Sequence, residues 1–97
     1  MPYHLREHLF PTGELLISDS VTTKGIKYLP FLRRHLSGDW GDVDQYTSDS
    51  NHQSLKEGNE ILSQYSLQDI GITEDLLTIV SASDREYTVV FFPNDPC

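Results

Sequence analysis

Cysteine is almost absent from this chain: the only one, Cys97, is the last residue. No intrachain disulfide can form, and that usage suits a reducing compartment. No apolar run approaches the roughly 20 residues of a membrane span, and the first ten residues, MPYHLREHLF, carry charges where a secretory signal would need its apolar stretch. The expectation is a cytoplasmic protein with no membrane contact. Basic residues are also few, seven Lys and Arg against fifteen Asp and Glu, too few for direct nucleic-acid binding unless Lys24, Lys27, Arg33 and Arg34 gather on one face. Repeats, low-complexity runs, Gly-rich phosphate loops, cysteine clusters and a Ser/His/Asp order are all missing.

What remains is a globular composition, 37% hydrophobic and 23% charged, on the polar side of the usual range. Ninety-seven residues hold one domain, 1–97, with one modest core. The net charge is −8, and it is unevenly placed. Residues 39–75 contain nine acids (Asp39, Asp42, Asp44, Asp49, Glu57, Glu60, Asp69, Glu74, Asp75) against Lys56 alone, and so carry the entire −8. The six acids and six bases elsewhere cancel. Such a segment either solvates the fold or attracts a basic partner while repelling phosphates.

The pattern of apolar residues predicts an α+β domain, an antiparallel β-meander of three to four strands with two to three short helices packed on one face. A strand over residues 13–18, GELLIS, follows the turn signal Pro11-Thr12-Gly13. Ser20 or Thr22 is expected to cap a short helix through Tyr28. Pro30 suits the first turn of a second helix, PFLRRHL, with Phe31, Leu32, His35 and Leu36 on one face and Gly38 just past its end. A third helix is expected over 50–57, from the capping-box spacing of Ser50 and Gln53, stopping at Gly58-Asn59. Strands are expected over 60–67, 76–83 and 86–92. The last is apolar on both faces, which requires a central position or cover on both sides.

The densest chemistry lies in HLSGDWGDVD, residues 35–44, with His35, Asp39, Asp42, Asp44 and the only tryptophan, Trp40. Carboxylates at this spacing could offer oxygens to Mg²⁺ or Ca²⁺, but the order is not that of a calcium loop. The preferred reading is a corner. Gly38 ends the helix, Gly41 permits a positive φ, Trp40 packs over the sheet, and Asp39 or Asp42 accepts hydrogen bonds from loop amides. Asp42 is a candidate partner for His35. His4, Glu7 and His8 spell H-x-x-E-H, a zinc-hydrolase pattern, but Pro11 leaves too little helix to present it. Asp84 and Arg85 read as a turn-holding pair. No metal and no cofactor are expected.

Several of these residues carry a resemblance. The runs RHLSGDWGDVD, NHQSLKEGNEILSQYSL and SASDREYTVVFFP resemble a group of small bacterial proteins from plasmids and integrative elements. That group shows an RHxxGDWGD motif, an N-x-x-AL-x-x-G segment leading into a strand, and a [TE]-x-DR turn before a strand that ends in Pro. Its members are usually labelled plasmid-related proteins or, loosely, subunits of type I restriction enzymes. The resemblance spans residues 34–93 and departs from the pattern at residues 68–75, where the turn is longer. A methyltransferase subunit would need a cofactor-binding sheet that a chain this short cannot hold. What the resemblance implies is company with mobile DNA, where short acidic proteins inhibit host defence.

Together these readings point to a non-enzymatic module that binds a basic protein, such as a nuclease or a CRISPR or restriction complex. Its contacts would come from Asp39, Trp40, Asp42, Asp44, Tyr46, Asp49 and Glu57. The alternative is a small hydrolase or metal-dependent enzyme using His35 with Asp39, Asp42 and Asp84. No oligomeric state follows from the sequence.

Overall fold

A computed structural model describes residues 8–67 and 76–93. The elements run β1 (Glu14–Ile17), α1 (Asp19–Thr23), α2 (Leu29–Leu36), α3 (Gln45–Glu57), β2 (Ile61–Ser66), β3 (Leu76–Ser81), a 3₁₀ turn (Ser83–Arg85) and β4 (Tyr87–Phe91). The fold is α+β, with a four-stranded sheet in the order β1-β4-β3-β2. Strands β2, β3 and β4 are antiparallel neighbours. β1 lies beyond β4 and parallel to it, Leu16 opposite Val89, so the sheet is mixed and not an antiparallel meander throughout. Period-2 alternation shows which side chains face inward but not which strand lies beside which. β4 takes the central place its two apolar faces require. Among the described residues no helix is long and apolar enough to cross a membrane.

The strand registers align Ile61, Ser63 and Tyr65 with Leu77, Ile79 and Ser81, and these with Thr88 and Val90. All eight are buried and form the inner face. α2 covers it: the Phe31 ring meets Tyr65 at 5.4 Å, and His35 reaches both β2 and β3. α1 lies against β4. Phe10, Val21, Ile26, Leu32, Leu36, Trp40, Leu67 and Phe92 complete the core. The opposite face carries Leu16, 40% exposed, and Tyr87, 41% exposed.

Two helix starts differ from the sequence reading. α1 is capped by Ser18, whose hydroxyl accepts from the Val21 amide, and ends at Thr23 instead of running to Tyr28. α3 begins at Gln45, not Ser50, because the Asp44 carboxylate accepts the Thr47 amide at 2.8 Å. That cap lies six residues before the Ser50 signal, and no Gly or Pro interrupts the segment between them. The ends match the reading better. Gly58 closes α3 at φ +76°, and Gly38 follows α2 at φ +90°, the left-handed conformation that suits glycine past a helix end.

Candidate functional site

The 38–44 loop is a corner tied to β2. Trp40 is 4% exposed and buried in the core. Its indole meets the His52 ring at 5.7 Å and the His35 ring at 6.0 Å, both near perpendicular. Its Nε1 is buried and has no hydrogen-bond partner among the described residues, so packing alone holds the ring. Gly41 stands at φ +77°, and a Cβ there would come within 2.2 Å of the Gln64 carbonyl oxygen and 2.5 Å of the Tyr65 ring. Only glycine fits so close an approach of two backbones.

That approach makes a bridge. Gln64 N donates to Trp40 O at 3.1 Å, and Asp42 N donates to Gln64 O at 2.6 Å. The Asp42 carboxylate accepts the Ser66 amide at 2.8 Å. From α3, the Asn51 amide donates to Leu62 O at 2.7 Å and accepts from Leu62 N at 3.1 Å. The outward backbone groups of Leu62 and Gln64 and the amide of Ser66 are thereby all occupied, and the β2 edge is closed to a further strand. Asp39 makes the Asx turn the sequence suggests, accepting the Gly41 amide at 3.1 Å, and pairs with Arg34 at 2.8 Å. The Arg34 hydrogen bond holds the Asp39 carboxyl below its usual range. The Arg34 guanidinium lies over the Tyr65 ring, and the Tyr65 hydroxyl donates to Asp39 O at 2.7 Å. Asp42→Ala should cost about 1 kcal/mol, the typical worth of a hydrogen bond. Hydrogen exchange should show the Ser66 amide protection falling while the inner strand amides stay slow.

His35 bonds to Ser63 and Ser81, while the Asp42 carboxylate is engaged by the Ser66 amide. His35 is fully buried, its Nδ1 2.6 Å from Ser63 Oγ and its Nε2 2.9 Å from Ser81 Oγ. Ser81 Oγ lies 2.8 Å from Thr88 Oγ1, which donates to Thr12 O at 2.9 Å. The direction of every proton follows. Thr88 uses its one hydrogen on Thr12, so Ser81 must donate to Thr88. Ser81 can then only accept from His35, which places the imidazole hydrogen on Nε2, and Ser63 donates to Nδ1. Burial, and next the positive charge of Arg85, push the His35 pKa down to about 3. The imidazole is thus enclosed, with both ring nitrogens engaged by hydroxyls of the sheet. Among the described residues no three His, Cys, Asp or Glu side chains gather as metal ligands. His4 and Glu7 lie outside the described residues.

The Asp84-Arg85 turn is a clamp on the end of α3. Both residues take positive φ, 62° and 60°. Arg85 Nη1 donates to Asn59 O at 2.6 Å and to Ala82 O at 3.1 Å, and Nη2 to Ser54 O at 2.9 Å. The Asp84 amide donates to Gly58 O at 3.1 Å. Arg85 thus ties the last turn of α3, through Ser54 O, which also accepts the Gly58 amide, to the residues that lead into β2 and out of β3, as expected of a turn-holding residue.

Of the predicted contact residues, Asp39, Asp42, Asp44, Tyr46, Asp49 and Glu57 are exposed, Tyr46 at 81%. Trp40 is removed from that set by its burial; a buried indole can shape the loop but not touch a partner. Sequence reasoning missed Ser63, Ser81, Thr88 and Asn51. A signal for three of them was present: small hydroxyl residues at inward positions of otherwise apolar strands imply a buried polar partner. No family model matches the chain, and no curated protein or solved structure matches it significantly.

Proposed function

We propose that this chain is a non-enzymatic protein-binding module of a mobile element. It inhibits a host defence nuclease, or a CRISPR or restriction complex, by occupying a basic site that otherwise holds nucleic acid. The observation behind this reading is the placement of the acids. Asp39, Asp42, Asp44, Asp49, Glu57 and Glu60 are every acid of the described residues from 39 to 67, and all six are exposed. They lie on the 39–44 loop, on α3 and at the entry to β2, around the sealed edge of the sheet. Tyr46, on the first turn of α3, adds an exposed aromatic ring of the kind that anchors interfaces. Carboxylates held on a rigid frame can stand in for phosphates in a basic channel, and their field raises the rate of encounter.

The test begins with affinity capture from the host, followed by competition. The captured partner should lose nucleic-acid binding when the protein is added in excess. Asp44 caps α3, so its charge is best removed as Asp44→Asn, which keeps the cap. Combined with Asp49→Lys and Glu57→Lys, it should slow association at least about tenfold, and the wild-type rate should fall as salt rises. Binding indifferent to salt and to all three changes, or a partner that keeps its nucleic acid, would sink the inhibitor reading.

A further inference from the structure

The two edges of the sheet are finished differently. The β2 edge is closed by Asn51, the 40–42 backbone and Asp42. At β1 the amides of Glu14 and Ser18 donate inward, to Glu86 O at 3.0 Å and Val90 O at 2.9 Å. Alternation along a strand therefore turns the N–H and C=O of Leu15 and Ile17 outward. Among the described residues none hydrogen-bonds to them on that side. Of the large hydrophobics exposed among the described residues, Leu16 and Tyr87 lie beside this edge on the outer face, Tyr87 opposite Glu14 and Leu16 two residues further along β1, opposite Val89. An open edge next to exposed apolar side chains is a template for strand addition.

We propose that a second copy of this chain pairs here, β1 against β1, antiparallel about a two-fold axis through Leu16, joining two four-stranded sheets into one of eight strands. In this register Leu15 exchanges both backbone hydrogen bonds with Ile17 of the second copy, and Ile17 with its Leu15. Leu16 faces its own equivalent at a non-hydrogen-bonded position, where Cα atoms stand about 4.5 Å apart. Glu14 falls opposite Ser18 of the second copy, so no like charges face each other. The interface is isologous, as two-fold pairing requires.

Charge placement favours a second copy despite the net −8. The exposed acids of residues 39–60 surround β2, at the far side of the sheet. Seven strand intervals of about 4.8 Å would separate the two β2 edges by roughly 34 Å, several Debye lengths at physiological salt. Dimerisation through β1 thus directs both acidic faces outward, whereas pairing through β2 would oppose them. This inference stands apart from the proposed function: a monomer could inhibit a nuclease, and a dimer need not.

Sedimentation of the full chain in a Cys97→Ser background tests it. A dimer that dissociates on dilution is expected. Leu16→Lys, on an exposed site, should leave the circular dichroism unchanged and weaken dimerisation at least about tenfold, because like charges then face each other across the pair. Under mild oxidation Leu16→Cys should form a covalent dimer, since the expected Cα separation suits a disulfide, while Glu14→Cys should not. A monomer at every concentration up to the solubility limit overturns the proposal. So does a dimer that ignores Leu16→Lys and does not cross-link through Leu16→Cys, which would lie at another surface. Should Leu16→Lys fail to fold, the two cysteine variants decide alone.

Discussion

Trp40→Ala should lower the stability of the domain by about 3–5 kcal/mol, the usual cost of emptying a buried aromatic site. The indole is 4% exposed and fills the space between α2, α3 and β2, edge to face with the rings of His35 and His52. Domains of this size have roughly 5–15 kcal/mol in total, so the variant would lose a large part of its margin. Its melting midpoint should fall by at least about 12 °C, taking the low end of 4–8 °C per kcal/mol. Trp40→Phe is the informative companion. Nε1 makes no hydrogen bond among the described residues, so phenylalanine gives up volume but no polar contact and should cost less than half as much. A midpoint unmoved by Trp40→Ala would mean that the side chain lies at the surface and would return it to the set of partner-contacting residues.

Mild acid should destabilise the protein through His35. The folded imidazole has its pKa pushed down to about 3 by burial and by Arg85, against 6.5 when unfolded. The unfolded chain therefore binds the proton first. Stability is fully present above pH 6.5, declines as pH falls below it, and has lost this whole contribution near pH 3. At pH 4.5 the loss should be on the order of 2–3 kcal/mol, at about 1.4 kcal/mol per unit. The depressed carboxyls of Asp39 and Asp44 act in the same direction, in their own lower range. Urea midpoints measured from pH 7 to 4.5 test the slope. His35→Gln, neutral throughout, should begin less stable but show a nearly flat profile over that window. Nitrogen NMR at pH 7 provides a second check: Nε2 should carry the hydrogen and Nδ1 should not. A His35 that titrates near 6.5 in the folded protein would disprove the enclosed network.

The amino-acid order by itself determined much of this protein. Alternating apolar residues placed β2, β3 and β4 to within a residue or two. Gly38 and Gly58 marked helix ends, and GDWGD was legible as a Trp-anchored corner with its acids outside. These features depend on neighbours a few positions apart, where periodicity and turn chemistry act. What only the tertiary structure decided depends on contacts between distant segments. β1 lies parallel to β4, 73 positions further along at each pair, and no local pattern encodes that choice. His35 finds Ser63 and Ser81, 28 and 46 residues away, instead of nearby Asp42, because a helix face and two strands converge there. Asp42 reaches past its own loop to the Ser66 amide, turning a corner into the seal of a sheet edge. Local sequence specifies which side chains face inward; which buried groups then meet is decided by packing, since each buried donor and acceptor must find its partner wherever the fold brings one.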